Sequence, residues 1–149
     1  MARAIRLSID NVGLGGGPFG AVIAKNGSVV SEGANQVTSI NDPTAHAEIV
    51  AIRAACAALG NFELAGCEIY TSCEPCPMCL AAIYWARLDR IYFAGAATDA
   101  SQAGFDDSMI YREIERPHEQ RAIPMIQTMR EEALAAFRAW KQKPNKMVY

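Results

Sequence analysis

Residues 67–79 read CEIYTSCEPCPMC, and the change of character within them decides the fold. Cys67 to Ser72 form a strand-like run. Pro75 then opens a helix that continues past Trp85, because proline's fixed φ suits a first helical turn and its missing N–H costs nothing there. Downstream, Ile91 to Ala94 make another short apolar strand and Ile123 to Ile126 a weaker one, since Pro124 cannot donate to a ladder. Thr128 to Glu131 match a capping box, and Ala133, Phe137 and Trp140 give a last helix its buried face. Upstream, the Asp42-Pro43 pair starts a helix whose apolar stripe of Ile49, Ile52, Cys56 and Leu59 ends at Gly60. Earlier still, Ala21 to Ala24 and Val29 to Ser31 flank Asn26-Gly27, a pair that tolerates the positive φ angles of a tight hairpin. Ile5, Ile9 and Val12 recur at helical spacing until Gly13 and the run Gly15 to Gly17 break the pattern. A hairpin followed by alternating helices and strands predicts an α/β fold: a mixed sheet with parallel pairs, covered by helices on both faces.

The chain has 149 residues, 51% hydrophobic and 20% charged, enough for one domain with a real core and too few for two. A single domain over 1–149 is therefore expected. The net charge of -2 provides no global attraction to a phosphate backbone, so nucleic acid is a disfavoured partner. No apolar run approaches the ~18 residues needed to cross a bilayer, and the opening MARAIRLSID lacks the uncharged core of a signal peptide. A cytoplasmic protein without membrane contact is expected. Five cysteines, an odd number, stand at positions 56, 67, 73, 76 and 79. Their tight spacing points to metal or redox chemistry and away from a disulfide framework.

Two motifs carry that chemistry: His46-Ala47-Glu48 and Pro75-Cys76-Pro77-Met78-Cys79, each at the first turn of a helix. Cysteines three apart on a helix share a face, and a helix N-terminus favours their thiolates. His46 and Glu48, two apart, converge on an ion only if the helix end faces it, which two helices abutting N-terminus to N-terminus would achieve. One histidine and two thiolates give zinc three of its four ligands and leave a position for water, whose pKa the metal lowers toward ~7. Glu48, close by but not a ligand, is suited to move that water's proton. The competing readings explain less. A thioredoxin-like dithiol leaves His46 and Glu48 without a task. An iron-sulfur pattern needs a cysteine where Ile83 stands. Cys73 then reads as a neighbour of the site, Cys56 and Cys67 as core, and His118 as an ordinary loop residue.

H-x-E followed by P-C-x-x-C is the established signature of the zinc nucleobase deaminases. Beyond it, the chain resembles bacterial guanine deaminases of the cytidine deaminase fold over nearly its whole length. The likeness lies in Gly17 to Ile23, Asn41 to Glu48, Tyr70 to Cys79, Ile83 to Arg87 and Ala103 to Ser108. The last stretch lies outside the zinc core shared with cousins that act on cytosine or on tRNA adenosine. The resemblance implies a three-layer α/β/α fold around a mixed sheet of about five strands. It also implies one catalytic Zn²⁺ per chain on His46, Cys76 and Cys79, with hydrolysis of guanine to xanthine and ammonia driven by Glu48. By the same resemblance Asp107 is a second acid that grips the ring and relays a proton, with Glu113 a lesser candidate for that work. Asn35 is the amide that bonds the purine, Ala47 a further contact, Phe19 and Trp85 apolar walls, and Tyr149 the residue that closes the pocket. Closure from a partner chain would follow from a homodimer that exchanges its C-terminal segment. Other 2-amino heterocycles such as aminotriazines are conceivable substrates. A tRNA adenosine deaminase is the enzymatic alternative and requires a basic groove, for which Lys141, Lys143 and Lys146 are few. A non-catalytic binding protein with a structural zinc is the other, and the three-ligand set with Glu48 intact speaks against it.

Overall fold

Asn26 and Gly27, at φ of 51° and 77°, turn β1 (Gly20–Lys25) directly into β2 (Ser28–Ala34), as the dipeptide predicts. The structure, a computed structural model, describes residues 1–148. Tyr149 lies outside them. β3 (Cys67–Cys73) pairs antiparallel with the other side of β1, and β4 (Arg90–Gly95) pairs parallel with β3. The sheet is thus mixed and runs β2-β1-β3-β4. It has four strands where about five were expected. Residues 123–126, the weak candidate, form no strand and leave Ile123 and Ile126 exposed. A run with proline in its middle and no covered face has neither the donors nor the burial to hold a ladder.

Helices α1 (Ala2–Gly13) and α3 (Ala47–Leu59) cover opposite faces of this sheet. A Cβ on Gly20 would stand 2.4 Å from the Ala4 carbonyl oxygen, and one on Gly33 only 2.2 Å from that of Ala47. Gly33 pairs with Ala21, the neighbour of Gly20 along β1, and successive strand positions face opposite sides. Both helices therefore approach the sheet backbone to backbone, and apart from Glu48 at the start of α3 what they bury is small: Ala4 and Ser8 from α1, Ala47, Ala51 and Ala55 from α3. This corrects the expected stripe on α3. Ile52 and Cys56 pack at the margin of the core and Leu59 is exposed, because only alanine fits over Gly33. In α1, Ile5, Ile9 and Val12 likewise point outward. Ile23, Leu64, Cys67, Ile69 and Ile83 fill the rest of the core.

The start of α3 also differs from expectation. Asp42 does not cap it; its carboxylate accepts bonds from the Thr44 N–H (2.8 Å) and hydroxyl (2.7 Å), closing a turn after the short α2 (Val37–Ile40). The helix begins only at Ala47, with His46 as its N-cap, and ends at Gly60 in the left-handed region as predicted. α4 (Pro77–Trp85) follows β3 with Cys76 as N-cap and Pro77 in its first turn. In the β3–α4 connection the Glu74 N–H donates to the Gly95 carbonyl. Its carboxylate accepts from Ala97, at the start of α5 (Ala97–Gln102).

The chain forms two compact units, Met1–Ser108 and Met109–Tyr149. The second is made of most of α6 (Ser108–Glu115), a 3₁₀ turn at His118–Gln120, and α7 (Arg130–Gln142). Within it Arg121 donates to the Ile114 and Arg116 carbonyls at the end of α6. The last helix is where the sequence places it, but Met129 in the left-handed region is its N-cap, without the side-chain bond expected of Thr128. Its expected buried face is open: Ala133, Phe137 and Trp140 are all exposed. Among the described residues no helix is long and apolar enough to cross a membrane.

Candidate metal centre and active site

Two helix N-termini meet at one point because their N-cap residues, His46 and Cys76, are both in extended backbone geometry that turns their side chains toward the gap. The His46 Nδ1 lies 3.5 Å from the Cys76 Sγ and 3.5 Å from the Cys79 Sγ. The three donor atoms lie within 4.8 Å of one another. Two zinc bonds of about 2.3 Å to sulfur and about 2.05 Å to nitrogen, meeting at a tetrahedral angle, separate the donors by about 3.6 Å. The observed spacing therefore fits Zn²⁺, as does the donor set of one imidazole and two thiols. His46 and Cys76 are half-buried and Cys79 is fully buried, so the site opens on one side.

The side chains are strongly coupled. The Cys79 thiol donates toward Cys76 and, with His46 beside it, draws Cys76 down to about 4. The hydrogen bond to Cys76, with burial, pushes Cys79 the other way, and His46 is raised by its bond to Cys76. Glu48, in the first turn of α3 and only 8% exposed, is raised chiefly by burial. A metal would draw both thiols to thiolate.

The other expected residues differ in burial and in partners. Ala47, between ligand and acid, is buried under Gly33, and as the first helical residue its N–H has no partner within the helix. Asn35, 8% exposed, follows β2; its Oδ1 accepts the Val37 N–H at 3.3 Å. Phe19 packs against the core and meets Phe105 edge to face, with ring centroids 5.0 Å apart. Asp107 is half-buried; burial raises its carboxyl, and the negative charge of Cys76 adds to the effect. Trp85 stands apart from these: it is 65% exposed at the far end of α4, about 13 Å along the helix from Cys76. Glu113 belongs to the second unit, where its carboxylate accepts from Arg116 (2.6 Å) and from the Ala122 N–H (2.7 Å). Nothing in the sequence singles out Phe105 within the stretch Ala103 to Ser108 as the ring that meets Phe19. Asn11, whose carboxamide donates to the Gly17 and Asn35 carbonyls, has only a faint sequence signal: an amide in the last helical turn before a glycine run.

The sequence pattern of the cytidine and deoxycytidylate deaminase zinc-binding region matches residues 1–95. The chain belongs to this deaminase family. Zinc is accordingly its metal, and His46, Cys76 and Cys79 are the group that the structure offers it. Among its relatives is a guanine deaminase from Bacillus subtilis, 55% identical over 100% of this chain and 96% of its own. The crystal structure of guanine deaminase from Bacillus subtilis superposes with a TM-score of 0.97 over 99% of this chain and 95% of that one. A guanine deaminase structure from Nitrosomonas europaea shares 29% identity and a TM-score of 0.68, covering 93% of this chain and 80% of that one. A tRNA-specific adenosine deaminase from Agrobacterium fabrum is 49% identical, but only over 51% of this chain and 50% of its own. The deaminase core is thus shared widely, whereas the likeness to the Bacillus protein runs on past it.

Proposed function

We infer that this deaminase hydrolyses guanine to xanthine and ammonia. The observation that carries the reading is the likeness to the Bacillus subtilis guanine deaminase over the whole chain, including the residues after 95 that the zinc-binding region does not cover. The tRNA adenosine alternative draws on a weaker likeness, 49% identity over 51% of the chain to one such enzyme and a TM-score of 0.65 over 83% of it to the structure of another, and finds little support in a net charge of -2. When bound, zinc supplies the Lewis acidity that makes hydroxide available near neutral pH. The rest falls to side chains. Asn35 keeps its Nδ2 uncommitted among the described residues and donates it to a ring acceptor of the base, while Phe19, steadied by Phe105, covers the ring's apolar face. Glu48 takes the proton of the attacking water, passes it to the ring nitrogen as C2 becomes tetrahedral, and delivers the next to the amino group that departs as ammonia. Asp107 grips the ring from the other side and shares the second transfer. Ala47, Trp85, Glu113 and Tyr149 enter this reading through the resemblance alone. Residues 1–149 act as one functional domain in a homodimer that exchanges its C-terminal segment, a reading supported by the lack of any buried residue in α6 or α7.

The test is ammonia release from zinc-loaded protein offered guanine, an aminotriazine, adenine, cytosine, cytidine and an adenosine-containing tRNA hairpin side by side. Release from guanine with xanthine formed is expected; release from the hairpin with guanine untouched would overturn the substrate and leave the family intact.

A further inference from the structure

One side chain holds together the three segments that place Asn35 and Phe19. Asn11, half-buried in the last turn of α1, donates its Nδ2 to the Gly17 carbonyl at 2.8 Å and to the Asn35 carbonyl at 2.9 Å. Its own backbone carbonyl accepts the N–H of Gly16 at 2.9 Å and of Leu14 at 3.1 Å. Gly16 lies on the carboxamide so closely that a Cβ there would stand 2.3 Å from Nδ2. The next glycine transmits the position onward: a Cβ on Gly17 would meet the Asn35 Cγ and Oδ1 at 3.2 Å and the Phe19 ring at 3.4 Å. The circuit closes through the backbone, where the Asn35 N–H donates to the Phe19 carbonyl at 3.1 Å. A double donor between two carbonyls of separate loops has one geometry that satisfies both, so it sets the spacing of those loops.

We propose that Asn11 is a positioning residue for base recognition: through Gly17 and the Asn35 backbone it fixes the Asn35 carboxamide and the Phe19 ring that receive the purine. The inference rests on the guanine reading above and deepens it. It acts on binding and not on proton transfer, because among the described residues no hydrogen bond joins Asn11, Gly16, Gly17, Phe19 or Asn35 to Glu48. Its signature is therefore a raised KM with kcat preserved.

Asn11→Asp keeps the shape but sets a carboxylate oxygen against two carbonyls; Asn11→Ala removes the donors without adding charge. The reference for a purely structural effect is Arg3→Ala, which cuts the fork from Arg3 to Glu32 that fastens the other end of α1 to β2. KM and kcat for guanine, zinc content and melting temperature are measured for these, for Asn35→Ala and for the wild type. KM is expected to rise about tenfold in both Asn11 variants and in Asn35→Ala, with kcat within about threefold and zinc retained, while Arg3→Ala keeps the wild-type KM. Wild-type KM in the Asn11 variants, a loss confined to kcat, or an equal KM rise in Arg3→Ala would each overturn the proposal. So would failure of both Asn11 variants to melt as folded, zinc-loaded protein, since Asn11 would then serve the fold. Zinc-loaded wild type inert toward guanine would remove the substrate reading and this inference with it; wild-type turnover beside normal Asn11 variants removes the inference alone.

Discussion

The two units of this chain solve the problem of burial in opposite ways. In Met1–Ser108 the sheet and its helices meet over glycine and alanine, so closely that Gly20 and Gly33 have no room for a methyl group. In Met109–Tyr149 the helices are regular, yet neither α6 nor α7 buries a residue, and Phe137 is 63% exposed. The first unit carries all three metal donors and Glu48. Close packing is what such a site requires, because donor positions must hold to within a few tenths of an ångström. The second has helices without a core, and an amphipathic helix gains most of its stability from what covers it.

The largest expected effect comes from removing a metal donor. Cys76→Ala and Cys79→Ala are each expected to abolish zinc retention and ammonia release, and metal analysis of the purified variants checks this. Glu48→Gln separates chemistry from metal: zinc content stays at the wild-type level and turnover falls about 10²–10⁴-fold. An active Gln variant would break the role assigned to Glu48. Gly33→Ala probes the packing itself, driving a methyl group into the Ala47 carbonyl and the Ala51 nitrogen, at a cost of about 3 kcal/mol that thermal unfolding should register. In the second unit the paired change Phe137→Ser and Trp140→Ser should leave zinc in place and convert a dimer to a monomer in sedimentation; a wild-type monomer would break the contrast, since the open face would then need no cover. Smallest is Gly27→Ala in the hairpin, where space is free but φ is +77°, with about 1 kcal/mol lost to backbone strain alone.

Which parts were legible in the sequence follows from the same contrast. The Asn26-Gly27 hairpin and the left-handed stop at Gly60 were readable because each is a local backbone event written in one or two residue types, whereas the helices begin at Ala47 and Pro77, later than the expected starts at Asp42-Pro43 and Pro75. The convergence of His46 with Cys76 and Cys79 could be foreseen from chemistry, since three donors without a shared ion have no common purpose. Burial was not readable in this way. Hydrophobicity ranks Ile49 and Ile52 above Ala51 and Ala55, but the space over Gly33, on a strand far away in sequence, admits only the alanines. Asp42 misled because an aspartate two residues before a hydroxyl can close a turn as readily as it can cap a helix. The apolar face of α7 misled for the opposite reason: its period is right, but a pattern of side chains does not say where the covering surface lies.

His46 and Cys76 stand 30 positions apart in the chain, and the stretch between them contains all of α3 and all of β3. An ion held by both is therefore a cross-link as well as a reagent. Closing a loop of that length removes about 3.6 kcal/mol of chain entropy from the unfolded state if it acts as a disulfide would. For this protein, metal starvation is then expected to be a question of lifetime as well as of rate, since chains made without zinc lose that cross-link and should open to proteases more often.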